Sequence, residues 1–437
     1  MHDFHYVKGQ LHCERVAIAA LAKKFGTPLY VYSHHTLADH FQKLDTAMAG
    51  VDHLICYAVK SNSNLAVLRS LARVGSGFDV VSEGELRRVI AAGGEAGKCV
   101  FAGVGKTEGE IEFALRQGIY SINVESEPEL ERINRVATRL KQTAPVALRV
   151  NPNIDAGTHA KITTGTYQNK FGIAFEQIEA VYHRSKRLKN VWLRGLQMHI
   201  GSQLTEPTPF KLAVEKVAPL VARLAAKYPF EFFSIGGGLG IVYQPALSSG
   251  SADWWKSASA RKILTPATYA ATLGPLLKPL GLRVLLEPGR FISGNAGILV
   301  TRVEYVKRTG KKNFVIVDAA MNDLIRPAMY DSYHEIVPVA RRGGGRTVAS
   351  DVVGPICESS DFLCKDRPMA LAKEGDYLAV MSAGAYGSAM ASNYNSRALA
   401  AEVMVDGARA AVVRERLPLE AIWAAERVPA WLESKKI

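Results

Sequence analysis

Three times in succession, a short apolar run is followed by a helix-start signal. Phe78-Asp79-Val80-Val81 precedes Ser82-Glu83-Gly84-Glu85, and Val100-Phe101-Ala102-Gly103 precedes Thr107-Glu108-Gly109-Glu110. The apolar run at 119–124 precedes Ser126-Glu127-Pro128-Glu129. Each polar quartet carries Ser or Thr with Glu three residues later, the capping-box pattern. Buried strands alternating with capped helices, about every twenty residues, are the pattern of parallel β–α units. Further strand-like runs occur at 56–59, 146–150, 196–200, 232–235 and 284–287. Together these make eight, which predicts a closed (β/α)8 TIM-like barrel.

The 437 residues exceed one ordinary core,. Beyond Arg290 the apolar period changes to two. Residues 298–308, the turn Thr309-Gly310-Lys311-Lys312 and residues 314–318 read as a hairpin, and Asp406-Gly407 between 402–405 and 408–414 suits a tighter one,. The expected organisation is an N-terminal segment at 1–34, the barrel at 35–290 and an antiparallel β domain at 291–437. The strand Leu29-Tyr30-Val31-Tyr32 is expected to join that β domain. After it, Leu37, Phe41, Leu44 and Met48 recur at helical spacing, with Thr36 as the expected N-cap,.

Hydrophobic residues at 48% and charged ones at 22% suit a soluble globular chain,. No run of 18 apolar residues exists, and the first residues lack a signal peptide's basic and apolar regions,. Five scattered cysteines argue for a reducing compartment and against a zinc site,. A cytoplasmic protein without a metal or a membrane partner is expected. The net charge of +13 raises the question of nucleic acid, but Lys and Arg are spread along the chain,. Arg341-Arg342-Gly343-Gly344-Gly345-Arg346 reads as a surface loop. No nucleic-acid partner is expected; a small anionic ligand suits such a charge.

The predicted strands end in polar or glycine-rich residues: Lys60, Asp79, Arg149, His199-Ile200-Gly201-Ser202, Gly236-Gly237-Gly238 and Glu287-Pro288-Gly289-Arg290. Active sites of such barrels sit at the C-terminal strand ends. Lys60 alone could snorkel from a strand end to solvent. Desolvated, its neutral amine would be a nucleophile for an aldehyde. The glycine run could be a tight turn or a nest of N–H groups for a phosphate. Glu287 could bridge to Arg290, and His199 could be a hydrogen-bonded core residue. Taken together, a lysine, a phosphate nest and a carboxylate for a ring nitrogen are what pyridoxal phosphate requires. Two irregular stretches interrupt the barrel: a polar loop at 156–171, and an insertion at 248–262 that carries Trp254-Trp255.

In the second half, Cys357-Glu358, the segment from Met321 to Tyr330 and Ala385-Tyr386-Gly387 each read as structural on spacing alone. With Tyr57-Ala58-Val59-Lys60, His199-Ile200-Gly201-Ser202-Gln203, Gly236-Gly237-Gly238 and Glu287-Pro288-Gly289-Arg290, they stand in an order that resembles the diaminopimelate decarboxylases. These belong to the alanine-racemase-like fold group of pyridoxal-phosphate enzymes. The resemblance runs from Phe25 to about residue 413, and only the insertion at 248–262 departs from it. It implies that Lys60 holds the cofactor as a Schiff base and that His199 stacks on its ring. Gly237, Gly238 and Tyr386 would bind the phosphate and Glu287 the ring nitrogen, with Asp79, Arg149, Ser202, Gly289 and Arg290 completing the cofactor site. Arg290, Arg326, Tyr330, Glu358 and Tyr386 would hold the substrate. Cys357 would protonate the carbanion, and Cys357 and Glu358 would come from the partner of a homodimer with shared active sites.

The distal end of the substrate separates the relatives. Ornithine and lysine present only an ammonium there, whereas meso-diaminopimelate presents an ammonium and a carboxylate. Glu358 with Arg290 and Arg326 suits the second, since arginine binds carboxylate through charge-assisted, often bidentate bonds. The resemblance therefore implies decarboxylation of meso-2,6-diaminopimelate to L-lysine and CO2. A racemase on this barrel would need a second base opposite Lys60, and a catalytically dead homologue would be expected to lack that lysine.

Overall fold

The computed structural model describes residues 1–154, 169–342 and 347–433. Most of the polar loop at 156–171 and part of the arginine–glycine run at 341–346 fall outside these residues. Eight parallel strands form the barrel: His53–Ala58, Gly77–Val80, Cys99–Phe101, Ser121–Val124, Ala144–Asn151, Val191–Met198, Phe232–Ser234 and Arg283–Leu286. Each pairs with the next, and the last closes on the first through Val284–His53 and Leu286–Ile55. A two-residue strand, Ile173–Ala174, lies beside the fifth.

The helix-start signals act as expected, with one refinement. Thr107 and Glu110 form a reciprocal capping box. Ser82 and Ser126 cap their helices, but Glu85 and Glu129 reach one residue further back, to the N–H groups of Val81 and Glu125. The helix His34–Met48 starts earlier than expected: Ser33 is its N-cap, and Thr36 supplies the N–H that Ser33 accepts.

Period two decides which side chains enter the barrel. Cys56, Val100, Ala147, Phe232 and Leu285 form an apolar cluster that fills its interior. Two residues further along each strand the same phase delivers Ala58, Arg149, Ser234 and Glu287. The alternate phase packs against the helices in the main core.

The second sheet runs in the order Phe362–Ala370, Thr347–Val353, Asn313–Val317, Gly297–Arg308, Leu29–Ser33, Ala401–Asp406 and Arg409–Arg414. Leu29–Ser33 is buried along its whole length, antiparallel to Gly297–Arg308 and parallel to Ala401–Asp406. The sheet is otherwise antiparallel except for Asn313–Val317 beside Thr347–Val353. The tight hairpin turns at Gly407-Ala408, one residue later than expected, with Gly407 at φ 61°. The sequence did not announce the small N-terminal sheet of Phe4–Val7, Gln10–Cys13 and Val16–Ala17. The insertion at 248–262 forms three short 3-10 turns, anchored where the Trp255 indole donates to the Ser249 carbonyl at 2.7 Å. Among the described residues no helix is long and apolar enough to cross a membrane.

A deeply buried ion pair braces the barrel top: Lys106 Nζ lies 2.7 Å from Glu129 Oε1 and also donates to the carbonyls of Gly103 and Asn123. Lys106→Met strands the carboxylate and should cost roughly 3–5 kcal/mol. A lowered urea midpoint checks this, with partial recovery expected in Lys106→Met/Glu129→Leu.

Candidate active site

A cavity of about 620 Å³ opens at the C-terminal ends of the strands. The first strand stops at Ala58, and Lys60 stands on the 3-10 turn Val59–Ser61 that follows. The polar residues after it pin that turn. Ser61 Oγ donates to the Ala58 carbonyl at 2.8 Å, Asn62 donates to the Gly384 carbonyl at 3.1 Å, and Asn64 caps the next helix. The Tyr386 N–H donates to the Ser61 carbonyl at 2.7 Å. Tyr386 does so at φ 56°, a left-handed conformation that a non-glycine residue adopts at a cost,.

Lys60 Nζ lies 2.7 Å from Asp79 Oδ2. Enclosure by protein works against the ammonium, but the Asp79 charge overrides it and raises the lysine pKa. Of the two readings the sequence left open, a lysine snorkelling to solvent and a desolvated neutral amine, neither describes it: the side chain is 42% exposed where it lines the cavity, and its charge is matched by Asp79.

After the neighbouring strand Arg283–Leu286, Glu287 accepts from Ser234 Oγ at 2.7 Å and from Gln197 Nε2 at 3.0 Å. Burial, reinforced by the negative charge of Asp79, lifts its pKa to about 7. His199 Nδ1 accepts the Gly237 N–H at 3.2 Å, which puts the ring proton on Nε2,. Burial and then the charges of Arg149 and Lys60 hold this imidazole neutral, with its pKa well below the usual range. Arg149 is itself paired to Glu125 at 2.7 Å, both nearly fully buried.

The glycine run is a backbone cradle. Gly238 has φ 109°, and a Cβ there would meet the Gly201 carbonyl at 2.6 Å; one on Gly237 would meet the Glu287 carbonyl at 2.1 Å. In the same lining, Arg290 Nη1 and Arg326 Nη1 both donate to Tyr243 Oη, at 2.6 and 2.8 Å. Arg290 Nη2 donates to Ser202 Oγ at 3.1 Å, and Arg326 Nη1 also donates to His334 Nε2 at 2.9 Å.

Lys60, Asp79, Arg149, His199, Ser202, Gly237, Gly238, Glu287, Gly289, Arg290, Arg326, Tyr330 and Tyr386 all line this one cavity. Cys357 and Glu358 do not. Cys357 is exposed, its N–H donating to Asn395 Oδ1, and the Glu358 carboxylate accepts from the Tyr394 hydroxyl at the surface. Within one chain Glu358 is therefore not paired with Arg326. The neighbouring Asp361 is structural, accepting the N–H groups of Met321 and Ile356. Sequence reasoning missed Gln197, Ser234, Glu125, Tyr243 and His334. Gln197 and Ser234 were findable, being two residues before His199 and Gly236 and hence in the same inward phase. Tyr243 and His334 carry no local signal.

The residues fit pyridoxal phosphate. Asp79 Oδ1 and Gln197 Oε1 are buried without a hydrogen-bond partner among the described residues, on either side of a space lined by Lys60, Glu287 and the glycine cradle. Residues 34–294 match the model of the pyridoxal-dependent decarboxylase family's pyridoxal-binding domain. The chain is 50% identical to the diaminopimelate decarboxylase of Vibrio cholerae, over 98% of this chain and 99% of that protein.

The chain belongs to the diaminopimelate decarboxylase family.

It is a pyridoxal-phosphate-dependent decarboxylase. The match with the Pseudomonas aeruginosa diaminopimelate decarboxylase is 49%, again over 98% and 99% of the two chains. Among solved structures, the diaminopimelate decarboxylase of Helicobacter pylori complexed with L-lysine superposes with a TM-score of 0.86 at 38% identity, over 93% of this chain and 98% of that one. That of M. jannaschii in co-complex with L-lysine reaches 0.90 at 34% identity, over 99% and 100%.

The site also predicts a pH dependence. His334 Nδ1 faces the Met381 carbonyl and Nε2 faces Arg326, and burial together with that guanidinium holds its pKa at about 3. Unfolded, it would take a proton near the ordinary histidine value of 6.5. Well above that pH both states are neutral; as pH falls toward 3 only the unfolded state gains the proton, so the folded state loses stability. The thermal-midpoint advantage of wild type over His334→Gln should therefore shrink between about pH 7.5 and about pH 4.5. An advantage constant over that range would contradict the assignment.

Proposed function

We propose that this cavity decarboxylates meso-2,6-diaminopimelate to L-lysine and CO2, the last step of lysine biosynthesis. The observation that carries the reading is the pair of guanidiniums, Arg290 and Arg326, joined through one phenol oxygen in the lining of the same cavity as Lys60. Two such cations suit a substrate that keeps a carboxylate at its unreacted end. Ornithine or lysine bound for decarboxylation presents only an ammonium there and leaves both arginines unmatched.

Pyridoxal phosphate, when bound, supplies the electron sink for the carbanion. Lys60 would hold its aldehyde carbon, the Gly237–Gly238 cradle and Tyr386 its phosphate, and Glu287 its ring nitrogen. The raised pKa of Glu287 has a purpose in this reading: a buried carboxylate short of cationic partners is matched when a ring nitrogen carries the proton opposite it. Asp79 keeps the Lys60 ammonium in place, and the neutral His199, fixed by the Gly237 N–H, presents a flat uncharged face. Tyr330 shares the cavity with Arg326 and would orient the substrate's far end. Cys357 would protonate the carbanion and Glu358 would take the distal ammonium. Both would reach the cavity from a second subunit, in a homodimer with shared sites. Their exposure outside this chain's own cavity supports that assignment.

Measuring CO2 release from diaminopimelate, ornithine, arginine and lysine tests the substrate. Release from diaminopimelate alone is expected, and Arg326→Ala should lose roughly 2–5 kcal/mol of transition-state binding in kcat/KM. Unchanged kcat/KM would remove Arg326 from the site. The shared site has its own check. Lys60→Ala and Cys357→Ala should each be inactive, and mixed with subunit exchange they should recover partial activity through hybrid dimers. Exchange without recovery would place the whole site in one chain.

A further inference from the structure

Arg290 and Arg326 come from different parts of the fold. Arg290 starts the short helix Arg290–Ser293 after the last barrel strand, and Arg326 starts Arg326–Tyr330 in the second domain. Two buried guanidiniums repel each other, and something must fix their spacing. Tyr243 stands between them. It lies a few residues past the glycine run, with its ring 5.9 Å below the Arg290 guanidinium and 5.0 Å from that of Arg326. Its hydroxyl oxygen accepts from both.

The second acceptor on Arg326 is His334, whose ring meets that of Tyr243 edge-on at 5.3 Å. With Nδ1 turned to the Met381 carbonyl, Nε2 of His334 is left as an acceptor. Both hydrogens of Arg326 Nη1 are thus committed. Nη2 has only a long contact, 3.4 Å to Ser332 Oγ, and the guanidinium lines the cavity.

We infer that Tyr243 is a positioning residue that sets specificity: its oxygen ties Arg290 and Arg326 into one rigid fork for the carboxylate at the substrate's unreacted end. Burial alone would raise the Tyr243 pKa, but the two guanidiniums more than offset this and lower it, as expected of an oxygen that accepts from two cations. The inference rests on the proposed reading of the substrate and adds the residue that makes its carboxylate site.

The test is calorimetric binding to the cofactor-loaded enzyme, with two probes. L-Lysine keeps the carboxylate of the unreacted end; cadaverine has the same chain and amines without it. Tyr243→Phe keeps the ring and removes only the acceptor. It should weaken L-lysine by roughly tenfold or more, as expected when bonds to charged donors are lost, and leave cadaverine within about twofold. KM for meso-diaminopimelate should rise more than kcat falls. Equal losses for both probes, or none for L-lysine, would overturn the inference. If Tyr243→Phe does not fold, Tyr243→His carries the same comparison: its ring nitrogen can accept one guanidinium, so a smaller loss confined to L-lysine is expected and an equal loss for both probes overturns the inference. Wild-type enzyme that releases no CO2 from meso-diaminopimelate would sink the substrate reading instead, whatever the two probes show.

Discussion

Asp79 is 1% exposed, and its Oδ2 lies 2.7 Å from the ammonium of Lys60. That contact organises the mouth of the barrel. A carboxylate at this depth is costly unless matched, and the lysine matches one of its oxygens while the other remains buried without a partner,. The same carboxylate is the second cause, after burial, of the raised pKa of Glu287. Two acids therefore share one ammonium at this end of the cavity, while Arg149 is engaged by Glu125, and Arg290 and Arg326 by Tyr243.

The lysine is held by both domains. Ser61, Asn62 and Asn64 follow it directly, and their partners include Gly384 and Glu402 of the second domain. Gly384 can approach so closely because it lacks a side chain; a Cβ there would meet the Ser293 carbonyl at 2.0 Å. The strained Tyr386 closes the same contact from the other side. Backbone strain of this kind persists only where surrounding structure over-determines it. Here it fixes the turn that aims Lys60.

What the sequence disclosed follows from the range of each signal. Capping residues and apolar period are local, so the eight strands and the helices between them were legible, and the polar strand ends placed Asp79, Arg149, His199 and Glu287 on one rim. Errors were of one to three residues, at Thr36 against Ser33 and at the Gly407-Ala408 turn, where a competing cap or register won. Partners across the chain leave no local mark. Glu125 with Arg149, Ser234 and Gln197 with Glu287, and His334 with Arg326 are set by closure of the barrel and by docking of the second domain. Motif order supplied Arg326, Tyr330 and Tyr386, which spacing alone left as structural.

On the proposed reading, discrimination between substrates would depend on how Arg290 and Arg326 are held rather than on their number. Burial, and then the like charge of Arg290, lowers the Arg326 pKa, whereas against burial Tyr243 and Tyr386 raise that of Arg290, so the electrostatic stress falls on Arg326. A flexible pair would relieve it by turning toward solvent. Tyr243, Ser202 and His334 each accept a bond that turning would break, and all three are neutral in their usual state. The stress is therefore contained without being neutralised. An incoming carboxylate neutralises it, while an ammonium adds to it. On the proposed reading the wall would select by charge, because its neutral braces leave the positive charge for the substrate to answer.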